Sequence, residues 1–144
     1  MLLALFLSAL SSATVLPGSS EVLLLGLLSQ YPEQWLSLLL VASIGNTLGG
    51  LITFAMGWGL FDFAHRRFAF LPDLAQQAKA RPWVNKFGVW VLLLSWLPLV
   101  GDVLCFVAGA AKLPVVQSSL LMLIGKLARY SILVVLANAY AGVN

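Results

Sequence analysis

Four ionisable side chains, Glu21, Asp102, Lys126 and Arg129, lie inside stretches that are otherwise apolar. A charge in such surroundings raises the free energy unless it is paired, protonated or facing water, so each is a candidate for function. Lys126 and Arg129 are at i and i+3 with Tyr130 at i+4, which places all three on one helix face. Arginine offers a planar fork suited to phosphate, lysine a point charge, and a carboxylate in a confined cavity can take up a proton. The set fits an anionic head group bound by Lys126 and Arg129, with Tyr130 beside them and Asn46 as a further hydrogen-bonding group. Binding would be coupled to protonation of Glu21 and Asp102. Two acids and two bases also suit mutual pairing, and the plainer reading is a pair of buried ion pairs that fix helix register. Such pairs seldom stabilise more than apolar replacements do, so stability alone is a weak reason to carry four charges.

The acids belong to a pattern that occurs twice. Pro17-Gly18-Ser19-Ser20-Glu21-Val22-Leu23 returns as Pro98-Leu99-Val100-Gly101-Asp102-Val103-Leu104, at an offset of 102 − 21 = 81 residues. Downstream, Ile44-Gly45-Asn46 faces Ile124-Gly125-Lys126 after a one-residue gap. The halves are related but not equivalent: Asn46 and Gly49 stand where the second half has Lys126 and Arg129.

The elements that must hold these residues are membrane helices. The chain is 61% apolar and 9% charged with a mean hydropathy of +0.99, against roughly 25% charged residues in soluble domains. Its 144 residues suffice for one all-α integral membrane domain. Four apolar runs cover Leu2 to Leu28, Leu36 to Leu60, Phe87 to Ala111 and Val115 to Gly142. The division is repeat 1 over 1–60, a basic loop over 61–86 and repeat 2 over 87–144. Leu2 to Leu10 followed by Ser11-Ser12-Ala13 has the outline of a signal peptide, but no basic residue precedes it and cleavage would cut into the first repeat.

Runs two and four are long enough to span. Runs one and three each carry a proline near the middle, where a helix must kink or break; the breaks are placed at Pro17 and Gly18, and at Pro98 and Gly101. A broken run is either one kinked span or a re-entrant hairpin of two half-helices. Hairpins make the two repeats inverted, and spans make them parallel. Arg66, Arg67, Lys79, Arg81 and Lys86, against Asp62 and Asp73, place the middle loop in the cytoplasm, and the hairpin arrangement puts Lys112 there too. The expected fold is therefore two inverted repeats, each a re-entrant hairpin plus a transmembrane helix, joined by a basic cytoplasmic loop. Backbone freed at a break is tolerated in a bilayer only where protein or water satisfies it, so the breaks should meet at a wet cavity.

Several chemistries are excluded. One cysteine, Cys105, and one histidine, His65 in the basic loop, rule out a thiolate or imidazole metal cluster and make a Cys-His nucleophile improbable. No glycine-rich nucleotide loop is present. An enzyme, a cofactor, a metal and a nucleic-acid partner are not expected.

Pro17-Gly18-Ser19-Ser20-Glu21-Val22, the Gly45 to Gly50 cluster, Ser95-Trp96-Leu97-Pro98-Leu99-Val100-Gly101-Asp102 and Gly125-Lys126 resemble the DedA family of bacterial membrane proteins, its short YqaA-like branch most closely. The resemblance covers almost the whole chain. It implies two re-entrant hairpins in inverted repeat, the bacterial inner membrane, and movement of isoprenoid phosphates or phospholipids between leaflets, with proton or sodium coupling. Glu21 matches the family's acid after the first hairpin proline, and Pro98 the second hairpin's proline. The chain departs in having Gly50 where the family carries an acid, and Ser95 and Gly101 where two arginines bracket the second proline. The function expected is a flippase or scramblase for phosphate-bearing lipids such as undecaprenyl phosphate; the alternative is a non-transporting interaction or assembly factor. Small repeat-built membrane proteins often pair, so a homodimer is also expected.

Overall fold

A computed structural model describes residues 1–12, 18–67, 86–98 and 100–142, and these residues are helical with no strand among them. Among the described residues, five α-helices occur in order: α1 (Leu2–Ser12), α2 (Ser19–Gln30), α3 (Trp35–Arg67), α4 (Val100–Ala110) and α5 (Val115–Ala141). A 3-10 turn, Pro32–Gln34, leads into α3, and a nine-residue 3-10 segment, Gly88–Trp96, stands where an α-helical leg was expected before the second break. At about 2.0 Å per residue that segment reaches about 18 Å, where an α-helix of the same length covers about 13.5 Å. Apolar stretches of 28 and 26 residues, Pro32–Gly59 and Val115–Tyr140, are long enough to cross a membrane at about 1.5 Å per residue. The second run ends at Leu60 by composition, yet α3 continues through Arg67, so its last turns carry the first basic residues of the loop.

The helices stop where the repeated pattern requires. Pro17 lies outside the described residues, but α1 ends at Ser12 and α2 begins after Gly18, whose φ of +90° is open to glycine and strained for other residues. The second break falls at Leu97 and Pro98, where the chain turns extended before α4. Each acid then lies in the first turn of its helix, Glu21 in α2 and Asp102 in α4, where the unpaired amides and the helix dipole favour a negative charge.

Helix α1 packs on α3, with Phe6 and Ala9 against Gly45, and the 3-10 segment packs on α5, with Leu92, Leu93 and Ser95 against Gly125. The legs that follow the breaks also reach the long helix of the other half: α4 lies along α3 in the same direction, Cys105 facing Gly50 and Gly109 facing Phe54, and α2 touches α5. Both long helices bury the same register. Ala42, Gly45, Asn46 and Phe54 of α3 are buried, as are Met122, Gly125, Lys126 and Val134 of α5, while Leu40, Ile44 and Leu120, Ile124 face outward. Each pair is 80 residues apart, the separation of Asn46 and Lys126. A cluster around Phe54, Val91, Leu92, Leu104, Cys105 and Met122 fills one end of the bundle, and one around Leu5, Leu24, Leu28, Leu38 and Val134 fills the other. The polar residues lie between them.

The α3–α4 contact depends on reciprocal glycines. A Cβ on Gly57 would collide with the Phe106 carbonyl, and one on Gly109 with the Phe54 carbonyl, so backbone meets backbone. Gly59, two residues on, has nothing within 4 Å of its Cβ position. Gly109→Val is therefore expected to lower the thermal midpoint sharply in detergent or abolish monodisperse protein, since overpacking costs about 1–3 kcal/mol even where side chains can yield. Gly59→Ala is expected to hold or slightly raise the midpoint, because alanine favours the helix by about 1 kcal/mol. Equal midpoints for the two variants would show that the helices do not approach this closely.

Candidate functional site

Helix α5 presents Lys126, Arg129 and Tyr130 inward on consecutive turns, and the first turns of α2 and α4 bring Glu21 and Asp102 to meet them. Lys126 Nζ donates to Asp102 Oδ1 at 2.8 Å and to Asn46 Oδ1 at 3.1 Å. Asn46 Nδ2 donates to the Tyr130 hydroxyl at 2.6 Å. The same hydroxyl is 2.8 Å from that of Ser20, and either of the two can donate. The result is a continuous polar layer, Asp102–Lys126–Asn46–Tyr130–Ser20, running from α4 through α5 and α3 to α2. The Lys126 side chain is 0% exposed and that of Asp102 21%, so the lysine depends on the protein for its charge partner while the carboxylate keeps some access outward.

Arg129 forms a second ion pair, with Glu21. This one is less enclosed, with side-chain exposures of 10% for Arg129 and 27% for Glu21. It lies in the wall of a cleft of about 200 Å³ whose other lining residues are Trp96, Pro98, Ile132 and Leu133. The cleft is thus bounded by the second break, the start of α2 and one face of α5. One charged pair forms its polar part, and Trp96, Pro98, Ile132 and Leu133 form the rest.

The residues expected to bind a head group are brought together but do not share one surface. Arg129 lines the cleft; Lys126, Asn46 and Tyr130 lie in the buried layer, bonded to one another. Of the acids, Glu21 faces the cleft and Asp102 the buried lysine. Pro98 lines the cleft, whereas Gly18 caps α2 and Gly101 fits closely against the backbone of Ser95. Sequence reasoning passed over Ile132 and Leu133, although they follow Arg129 at i+3 and i+4 and so share its face. It also missed Ser20 as the partner of Tyr130, which is 110 residues away and carries no local signal.

Among the described residues, no group of three or more histidine, cysteine, aspartate or glutamate side chains could hold a metal ion.

Comparison with known proteins gives a consistent set of matches. The VTT domain profile matches residues 16–139. The inner membrane protein YqaA of Escherichia coli is 40% identical over 130 residues, covering 90% of this chain and 85% of that protein, and YqaA of Shigella flexneri matches to the same extent. An uncharacterised protein of Haemophilus influenzae is 38% identical over 143 residues, covering 94% of this chain and 87% of its own length. No solved structure matches with significance.

Proposed function

The chain belongs to the VTT-domain (DedA) family and is a helical protein of the bacterial inner membrane; from that premise we propose that it moves phosphate-bearing lipids between the leaflets. The observation that carries the reading is the cleft with Arg129 in its wall: a guanidinium inside an apolar bundle, paired with a carboxylate that is itself partly open. A guanidinium held there offers a phosphate charge-assisted hydrogen bonds, while Ile132, Leu133 and Trp96 offer apolar surface to the first carbons of the tail. A cleft of about 200 Å³ is small against the roughly 300–1,000 Å³ of drug-sized sites, so it suits a head group whose tails stay in lipid. Of the two acids, Glu21 is the one that borders the cleft, within reach of a passing head group.

Lys126 and Asp102 carry a different part of the reading. They hold α5 to α4 within the buried layer, and a Cβ on Gly50 would lie 3.9 Å from Lys126 Cε. The position where the family places an acid thus faces the same lysine that Asp102 neutralises here. This full internal satisfaction is also what favours the second reading, in which the charges serve register alone and the chain is an assembly factor.

The direct test is exchange of labelled undecaprenyl phosphate or a labelled phospholipid between leaflets of proteoliposomes containing the purified protein. A rate above that of protein-free vesicles is expected; none for any of these lipids would discard the transport reading.

For the membrane arrangement we keep the inverted pair of re-entrant hairpins. Its support is that α4 runs back beside the 3-10 segment and that Lys112, after α4, lies 5.8 Å from the ring of Trp58 near the loop end of α3. Single cysteines introduced at Lys112 and Gln77 are expected to react with an impermeant reagent from one side, and one at Ser29 from the other. Labelling of the Lys112 variant from the Ser29 side would replace the second hairpin with a full span.

A further inference from the structure

We propose that Glu21 is a built-in occupant of the anion site: its carboxylate holds the Arg129 guanidinium while the cleft is empty, and the phosphate of an entering lipid displaces it. The inference rests on the cleft being the head-group site and says how that site is kept when unoccupied. Carboxylate and phosphate both present two oxygens to the guanidinium fork, so Arg129 already holds the kind of group it would bind. Arg129 cannot shed its charge and lies in an apolar wall, so an unpaired state is costly and some anion must be present throughout.

The two ion pairs differ in the way this role requires. Lys126 is fully enclosed and holds both Asp102 and Asn46, so no outside anion reaches it without opening the bundle. Glu21 and Arg129 both line the cleft, and Glu21 is the more exposed partner. Glu21 sits in the first turn of α2, whose helix dipole favours its charge after displacement, and its partial exposure leaves it a path to water. The neighbouring Ser20 is anchored to Tyr130, so the start of α2 stays in place while the carboxylate moves.

The consequence is a sign opposite to that of an ordinary site residue. Removing a ligand-binding group weakens binding, whereas removing a competitor strengthens it. Isothermal titration of the full-length protein in detergent with farnesyl phosphate tests this, with farnesol and inorganic phosphate as further probes. Glu21→Gln is expected to bind farnesyl phosphate at least about fivefold more tightly than the wild type, and Arg129→Gln at least about tenfold more weakly. The double variant should match Arg129→Gln alone, because a competitor for a missing group has nothing to compete for. Glu21→Asp, which shortens the carboxylate but keeps its charge, should fall between the wild type and Glu21→Gln, and it supplies the measurement if Glu21→Gln fails to fold. Binding of farnesyl phosphate without binding of farnesol assigns the energy to the phosphate. Equal binding of inorganic phosphate would identify the free ion, not a lipid, as the displacing anion and would overturn the lipid-displacement proposal.

Unchanged or weaker binding by both Glu21 variants, with Arg129→Gln still impaired, would overturn the displacement and leave the head-group site standing. No phosphate binding by the wild type or by either Glu21 variant would overturn both.

Discussion

Arg129→Gln is expected to reduce leaflet exchange of a phosphate-bearing lipid by at least about tenfold in proteoliposomes of equal protein content. Hydrogen bonds to a charged group contribute about 1.5–3 kcal/mol, and about 1.4 kcal/mol is already a factor of ten. The substitution also leaves Glu21 without its partner, so lost exchange alone does not separate site from scaffold. The double variant Glu21→Gln with Arg129→Gln does: it removes both charges, restores neutrality, and should regain thermal stability while exchange remains low. Recovery of exchange together with stability would mean that the pair serves only packing and that the lipid passes elsewhere.

The second large effect concerns the buried layer. Asp102→Leu should be the most destabilising substitution among the four charges, because it strands a lysine that is 0% exposed, and breaking a buried pair costs about 3–5 kcal/mol. Lys126→Met should cost less, since the carboxylate left behind is 21% exposed and can recruit water. The double variant Asp102→Leu with Lys126→Met should recover most of the loss, as apolar replacements of buried pairs often do. Thermal midpoints of the three variants give the ranking directly. The cleft reading also expects exchange activity to persist in the double variant, because neither residue lines the cleft. Equal destabilisation by all three would show that the bond between Lys126 and Asp102 is not what stabilises this layer.

Both effects depend on which charge meets which. Within the sequence, neutrality suited pairing but named no partners, because Arg129 and Lys126 are three residues apart on one helix and either could face either acid. The choice follows from where α2 and α4 reach α5. Helix α4 is fixed on α3 by the contacts of Gly57 and Gly109, which carries Asp102 to Lys126. Helix α2 meets α5 one turn further along, which carries Glu21 to Arg129. The asymmetry has a simple source: Asn46, at the position equivalent to Lys126, has no charge to offer Glu21, and the amide bridges Lys126 and Tyr130 instead.

By itself the sequence determined whatever depends on local order along the chain. Composition made the protein a membrane one, the doubled proline-to-acid pattern placed a helix break shortly before each carboxylate, and spacings of three and four residues put Lys126, Arg129 and Tyr130 on one helix face. These signals are legible because hydropathy, helix periodicity and proline's missing donor act over a few residues. The length of α3 beyond Leu60 and the 3-10 form of Gly88–Trp96 were not legible, since tertiary contacts can override weak local propensity. Only the tertiary structure decided that Lys126, Asn46 and Tyr130 satisfy one another in the interior while, of the four charges in the apolar runs, Arg129 and Glu21 border the cleft. The reason is that burial of a given charge is set by how closely the helices around it approach, and that distance is fixed where segments distant in sequence meet, as at Gly57 and Gly109.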